Sequence, residues 1–272
     1  MKGVWRCWPP LLVALLLAVG QGAAQAALPS VYLEDLTWPE LQAAQREGAR
    51  TVIIPIGGTE QNGPHMALGK HNARVRVLAG RIASELGQAV VAPVLAYVPE
   101  SRGHLKFPGT IDTPPEAFGA LLAAAAKSLR RGGFTEIVLL GDSGDYQAQL
   151  QALAEQLSRE WQRKGALPSA RVHYVGVYYR EALAAFRQRL RELGHSESEI
   201  GVHAGLLDTA LLMATVPGMV RGESLAEAAL QSPANGVTGD PRAATAAVGR
   251  EGADLIVRES VQALRRARAS TN

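Results

Sequence analysis

The chain has 272 residues, with 28 basic against 25 acidic side chains, 47% hydrophobic residues and 19% charged residues. No Lys/Arg-rich block interleaved with aromatics occurs, which argues against nucleic acid as a partner. There is no internal repeat and no Ser/Pro linker to divide the chain.

Residues 1–26 read as an export signal. Lys2 and Arg6 make a basic start, residues 11–19 an apolar core, and Ala24-Gln25-Ala26 a small-residue cleavage site. The core is short of the ~20 apolar residues that span a bilayer, so the chain is expected in a periplasm or secreted, with no stable membrane association after cleavage. Cys7 is the sole cysteine and precedes the apolar core, whereas a lipid-anchored cysteine would follow it. The mature chain then has no disulfide, and any metal site must use His, Asp, Glu and Asn. Removing Lys2 and Arg6 takes the basic count from 28 to 26, against 25 acids. What remains, 27–272, is nearly neutral, and its about 245 residues suffice for one large α/β domain.

Along that domain, short apolar runs alternate with amphipathic ones. Strands are expected over 51–56, 89–95, 136–140 and 171–177, each apolar enough to be buried on both faces. Helices are expected over 37–46, 73–86, 115–131, 146–164, 180–193, 206–214 and 243–267, with a loop at 231–242. The alternation predicts an α/β fold: one three-layer α/β/α domain around a mostly parallel sheet.

Polar clusters follow the apolar runs, where α/β proteins place their chemistry. They are Glu60 to His71, Gly103 to Thr110, Gly141 to Gln147 and His203 to Thr209, and four of the six histidines lie in them. His173 falls inside a strand and His195 in a turn, both more consistent with structure than chemistry.

Taken in order, several motifs resemble those of the creatininase (creatinine amidohydrolase) family, over nearly all of 27–272. They are Gly57-Gly58-Thr59-Glu60-Gln61-Asn62-Gly63-Pro64-His65, Phe107-Pro108-Gly109-Thr110, the Gly-rich turn at Gly141, His203-Ala204-Gly205-Leu206-Leu207-Asp208-Thr209, and the Gly236 to Pro241 loop. The resemblance implies a three-layer fold that assembles into homo-oligomers, often hexamers. It also implies hydrolysis of C–N bonds in cyclic amides or formamides at a paired divalent metal centre.

The implied ligands are altered. Glu60 matches. Asn62 and Ser143 stand where histidines are expected, His71 where a carboxylate bridges two metals, and Asp145 where some members use glutamate. A neutral imidazole offers one lone pair to one metal, so His71 does not replace a bridging carboxylate. Asn and Ser are poor zinc ligands. Two readings stay open. In one, Glu60, His71 and Asp145, with Asp142 in reserve, hold a single zinc or manganese ion that activates water. In the other, the scaffold holds no stable metal and binds a small molecule without catalysis.

By the same resemblance, His203 shuttles a proton to the leaving nitrogen and Asp208 orients it. His65, Asn62, His104 and Ser143 are candidates for contacting the small-molecule substrate. For His65 and His104 the competing role is to fix their own turns, and for Asn62 to cap its loop.

Overall fold

The computed structural model describes Gly3, residues 28–163 and residues 170–269. The expected signal at 1–26 therefore lies outside the described residues apart from Gly3, as does residue 164. No helix among the described residues is long and apolar enough to cross a membrane.

The strands are β1 (Thr51–Ile56), β2 (Ala89–Val91), β3 (Glu136–Gly141) and β4 (Arg171–Tyr174). They form one sheet in the order β2-β1-β3-β4, with every pair parallel. The helices are α1 (Trp38–Arg46), α2 (Lys70–Leu86), α3 (Pro115–Arg131), α4 (Gln147–Arg163), α5 (Glu181–Glu192), α6 (Glu197–Ile200), α7 (Leu206–Thr215), α8 (Leu225–Leu230) and α9 (Ala246–Ala269).

Because strand side chains alternate, each run feeds two cores. Ile53, Val91, Val138 and Leu140 pack with Leu78 and Ile82 of α2, Phe186 of α5, Leu211 of α7 and Ile256 of α9. Val52, Ile54, Ile137 and Leu139 pack on the other side, with Phe118 and Leu122 of α3 and Leu150 and Leu157 of α4. The result is the expected three-layer α/β/α arrangement. Helix α9 closes tightly because Gly249 faces α7: a β-carbon there would sit 1.8 Å from the Ala210 carbonyl oxygen.

Several boundaries differ from expectation. The run 89–95 stops as a strand at Val91. Ala92 N still donates to Ile53 O (2.8 Å) and Leu95 N to Pro55 O (2.9 Å). The ladder slips by one residue here, from Ile53 opposite Val91 to an Ile56–Leu95 bridge, and Pro55 has no N–H to donate across the slip. Helix α2 starts at Lys70, a turn earlier than 73, which puts Lys70, His71 and Arg74 on its first turns. Strand β4 ends at Tyr174, where the chain turns into a short 3-10 segment at Gly176–Tyr178. The short helices α6 and α8 were not expected.

The strand order reverses direction between β1 and β3. Crevices beyond the carboxyl ends of strands at such a reversal are where open α/β sheets bind ligands.

Candidate active site

The loops after β1 and β3 leave the sheet side by side at that reversal, and one hydroxyl ties them. Tyr146 OH donates to Gly57 O (2.6 Å) and accepts from the backbone N–H groups of Asp142 (3.1 Å) and Ser143 (3.0 Å). On the other side Asn72 Oδ1 accepts from Gly58 N (2.9 Å), clasping the β1 loop to α2. Gly57 has to be glycine, since a β-carbon there would lie 2.1 Å from Asn72 Oδ1.

The remaining clusters dock onto this pair. Thr110 Oγ1 accepts from Gln61 N (3.1 Å), and Ile111 N donates to Thr59 O (2.9 Å). Gln61 Nε2 donates to Gly236 O (3.0 Å), and His203 pairs with Thr238. Asp145 accepts from Ser101 through both N and Oγ, each at 2.8 Å.

Together they line a cavity of about 460 Å³, in the range that holds a small molecule. Glu60, His71, His104, Ser143, Asp145, His203 and Asp208 all border it, joined by Lys70 and Arg74.

Behind the cavity wall runs a buried ionic network. His71 Nε2 lies 2.7 Å from Glu60 Oε1 and His71 Nδ1 lies 2.8 Å from Asp142 Oδ2. Arg74 Nε donates to Asp142 (2.9 Å) and Arg74 Nη1 to Asp208 (2.8 Å), while Lys70 Nζ donates to Asp208 (3.1 Å). Tyr178 OH donates to Asp142 Oδ1 (2.5 Å).

Charge states follow from these contacts. Burial alone would raise the Glu60 carboxyl, but His104 and His71 hold it well below the usual range. Burial and Lys70 push the His71 imidazole down, yet Asp142 and Glu60 raise it overall. His71 is thus a cation between two carboxylates. Burial and the charge of Lys70 lower His203 to about 4, so it is neutral at neutral pH.

Several sequence expectations meet different surroundings. His71 has both ring nitrogens engaged by carboxylates, so neither lone pair is offered to the cavity. Asp142 lies behind the wall, held by Arg74, His71 and Tyr178. Asp208 binds Lys70, Arg74 and the backbone N–H of Ala204 (3.0 Å), so it fixes the loop that carries His203 and not the imidazole itself. Asn62 and His65 are fully buried and do not border the cavity. Asn62 Nδ2 donates to its own loop at Glu60 O (2.9 Å), the capping role.

His65 Nε2 meets Thr209 Oγ1 at 2.9 Å. Burial, then Lys70, lowers its imidazole from 6.5 to about 4. Between these values the unfolded chain takes up a proton that the folded chain refuses. The stability contribution is therefore full above pH 6.5 and lost as pH falls toward 4. The melting temperature should fall between pH 7 and pH 5, and His65→Gln should flatten that slope by up to one proton. An unchanged slope in the variant would show that His65 titrates normally.

Among the described residues, two groups bring ligand atoms of His, Asp or Glu within 4.8 Å of one another: Glu60 with His104 and His203, and Glu100 with His104 and Asp145. These differ from the expected set of Glu60, His71 and Asp145. His104 Nδ1 lies 2.5 Å from Glu60 Oε2 and His203 Nδ1 3.9 Å from Glu60 Oε1. His104 Nδ1 is buried without an aligned hydrogen bond. His203 Nε2 lies 3.0 Å from both the acceptor Gln61 O and the donor Gln61 Nε2, so either tautomer finds a partner there, while Nδ1 faces Glu60. One carboxylate and two imidazoles are good donors for a divalent ion. The set fits one ion.

Lys70, Arg74, Glu100, Tyr146 and Tyr178 were not anticipated. The first two become visible once α2 is started at 70, since positions 70, 71 and 74 then share a face.

Fold and site define a three-layer α/β protein with a charge-rich cavity at the reversal of strand order. Residues 34–264 match the creatininase family, described as creatinine amidohydrolase, and the chain belongs to that family. It is 30% identical over 213 residues to a mycofactocin precursor peptide peptidase of Mycolicibacterium smegmatis, covering 73% of this chain and 77% of that protein. It is 26% identical over 196 residues to the creatinine amidohydrolase of Pseudomonas putida, covering 70% and 74%. A creatininase crystal structure superposes with a TM-score of 0.74 at 23% identity, covering 88% of this chain and 98% of that one. Solved creatininases include a variant described as Zn–Zn type and a manganese form.

Proposed function

We propose that the protein is an exported amidohydrolase that cleaves a C–N bond in a small cyclic amide or related compound, using one bound zinc or manganese ion. The observation that carries this reading is the meeting of Glu60, His104 and His203 at the cavity floor in a chain of this family. Glu60, His104 and His203 are the residues that would hold the ion, and when bound it supplies a polarised carbonyl and an acidified water.

The chain's own groups do the rest. Neutral His203 presents Nδ1 towards Glu60, and that atom serves either as ligand or as proton carrier, one lone pair not doing both. The Lys70 ammonium borders the cavity and brings the positive charge that a developing oxyanion needs. Asp208 positions both, through Lys70 and through Ala204 N. Ser143 and Asp145 line the wall where substrate lies. Export to a periplasm and assembly into a homo-oligomer, with a hexamer as the family precedent, are part of the same proposal.

The test is elemental analysis and calorimetry of protein purified without chelator. About one ion per chain, with a melting temperature that falls on chelation and recovers with zinc or manganese, is the expected result. Hydrolysis should then appear in a screen of cyclic amides and short peptides.

A second reading, a small-molecule-binding protein without catalysis, draws on one observation. Glu60, Asp142 and Asp208 are already matched by Lys70, His71 and Arg74, so the network needs no metal for charge balance. Absence of metal, even after adding it back, together with ligand binding in the same cavity, would favour it.

A further inference from the structure

The Glu100 side chain is fully enclosed, and neither carboxylate oxygen has a hydrogen-bond partner. A buried carboxylate without donors is costly, and native structures rarely leave one unless something fills the gap. Its place is prepared. Asp112 Oδ1 accepts from Glu100 N (2.9 Å) and fixes the backbone. Gly58, at φ +152°, leaves the space in which Oε1 sits, because a β-carbon there would come within 2.8 Å of that oxygen.

The carboxylate lies behind the cavity lining, beside His104. Glu100 Oε2 is 3.8 Å from His104 Nδ1, the atom that lies 2.5 Å from Glu60 Oε2. Asp145 closes the same cluster on its exposed side. His104 Nδ1 thus looks onto two carboxylates from different loops, without an aligned hydrogen bond to either.

We propose that Glu100 is a ligand of the divalent ion, taking third place beside Glu60 and His104 and releasing His203 from coordination. Two carboxylates match the charge of a divalent cation, and the oxygen-rich set moves the preference from zinc toward manganese. His203 Nδ1 is then left for proton transfer, so ligand and proton carrier are separate residues. The Glu100 loop thereby makes up for the donors missing at Asn62 and Ser143. This inference rests on the reading that the site holds a metal.

The test uses the full chain, stripped with chelator and titrated calorimetrically with manganese and with zinc. Wild-type protein should bind one ion. Glu100→Gln should weaken binding at least ~10-fold, while His203→Ala stays within about threefold of wild type. Without metal, the Glu100→Gln variant should melt at or above the wild-type temperature, since it no longer buries a carboxylate whose oxygens accept no hydrogen bond. Should that variant fail to fold, Glu100→Asp, which keeps the charge but shortens its reach, should show the same order of weakening.

Wild-type affinity in both Glu100 variants would overturn the proposal and leave Glu100 as a protonated partner of Glu60. Loss of binding in His203→Ala alone would overturn it in favour of His203 as ligand. No ion in the wild type would instead remove the metal reading itself.

Discussion

Replacing Arg74 with alanine is expected to cost about 3–5 kcal/mol, a large part of the whole stability of a domain. Arg74 is 2% exposed and reaches Asp142 with Nε and Asp208 with Nη1. Its removal leaves both carboxylates buried with fewer cations. Burial raises each carboxyl, and Arg74 is among the groups that hold both below their usual range. His71 and Tyr178 still serve Asp142, and Lys70 still serves Asp208, which places the loss toward the lower end. Lysine at 74 offers one point charge where the guanidinium spans two acids, so Arg74→Lys should recover only part of it. Urea denaturation reads the difference as a midpoint shift at constant slope. A loss below about 1 kcal/mol would mean that these contacts behave like exposed pairs.

Glu60→Gln should lower turnover by at least ~10²-fold and reduce metal content with it, since even residues that only support a ligand cost 10–100-fold. Glutamine keeps the shape and one acceptor for His71, but presents a neutral amide to His104. The cation at His71 then has only Asp142 to pair with, and the cavity floor loses the charge that organises it. Steady-state kinetics with elemental analysis of the same preparation checks both halves. Wild-type turnover in this variant would move the chemistry away from the loop after β1.

The layers of the fold were legible because β1 and β3 are apolar after their first residues, Thr51 and Glu136, and such runs have few alternatives to a sheet covered on both sides. The loop at Glu60 was legible as a site because it follows such a strand. The direction in which loop side chains face was not. His65 and Asn62 stand beside Glu60 in the chain, yet Gly63, at φ +66°, turns the path so that both are buried. Asp208 follows His203 closely, which suggested an orienting pair. Its partners Lys70 and Arg74 come from a helix, 138 and 134 positions away, a distance that no spacing argument bridges. Glu100 was overlooked because a glutamate after proline in a loop looks like ordinary solvated surface. Only Gly58, forty-two positions upstream, shows that room was kept for it.

The one-residue slip in pairing past Val91 has an evolutionary consequence. Elsewhere in the sheet, inserting or deleting a residue would shift a strand's register and turn its core face outward. Beyond Leu95, the last residue of this run bonded to β1, that penalty no longer applies in full. The stretch from 96 to 106, which delivers Glu100 and His104, can therefore change length and sequence while β1, β3 and the turn ending at Thr110 stay fixed. Substrate choice can drift in that stretch without refolding the molecule, and the differences between this chain and its relatives should concentrate there.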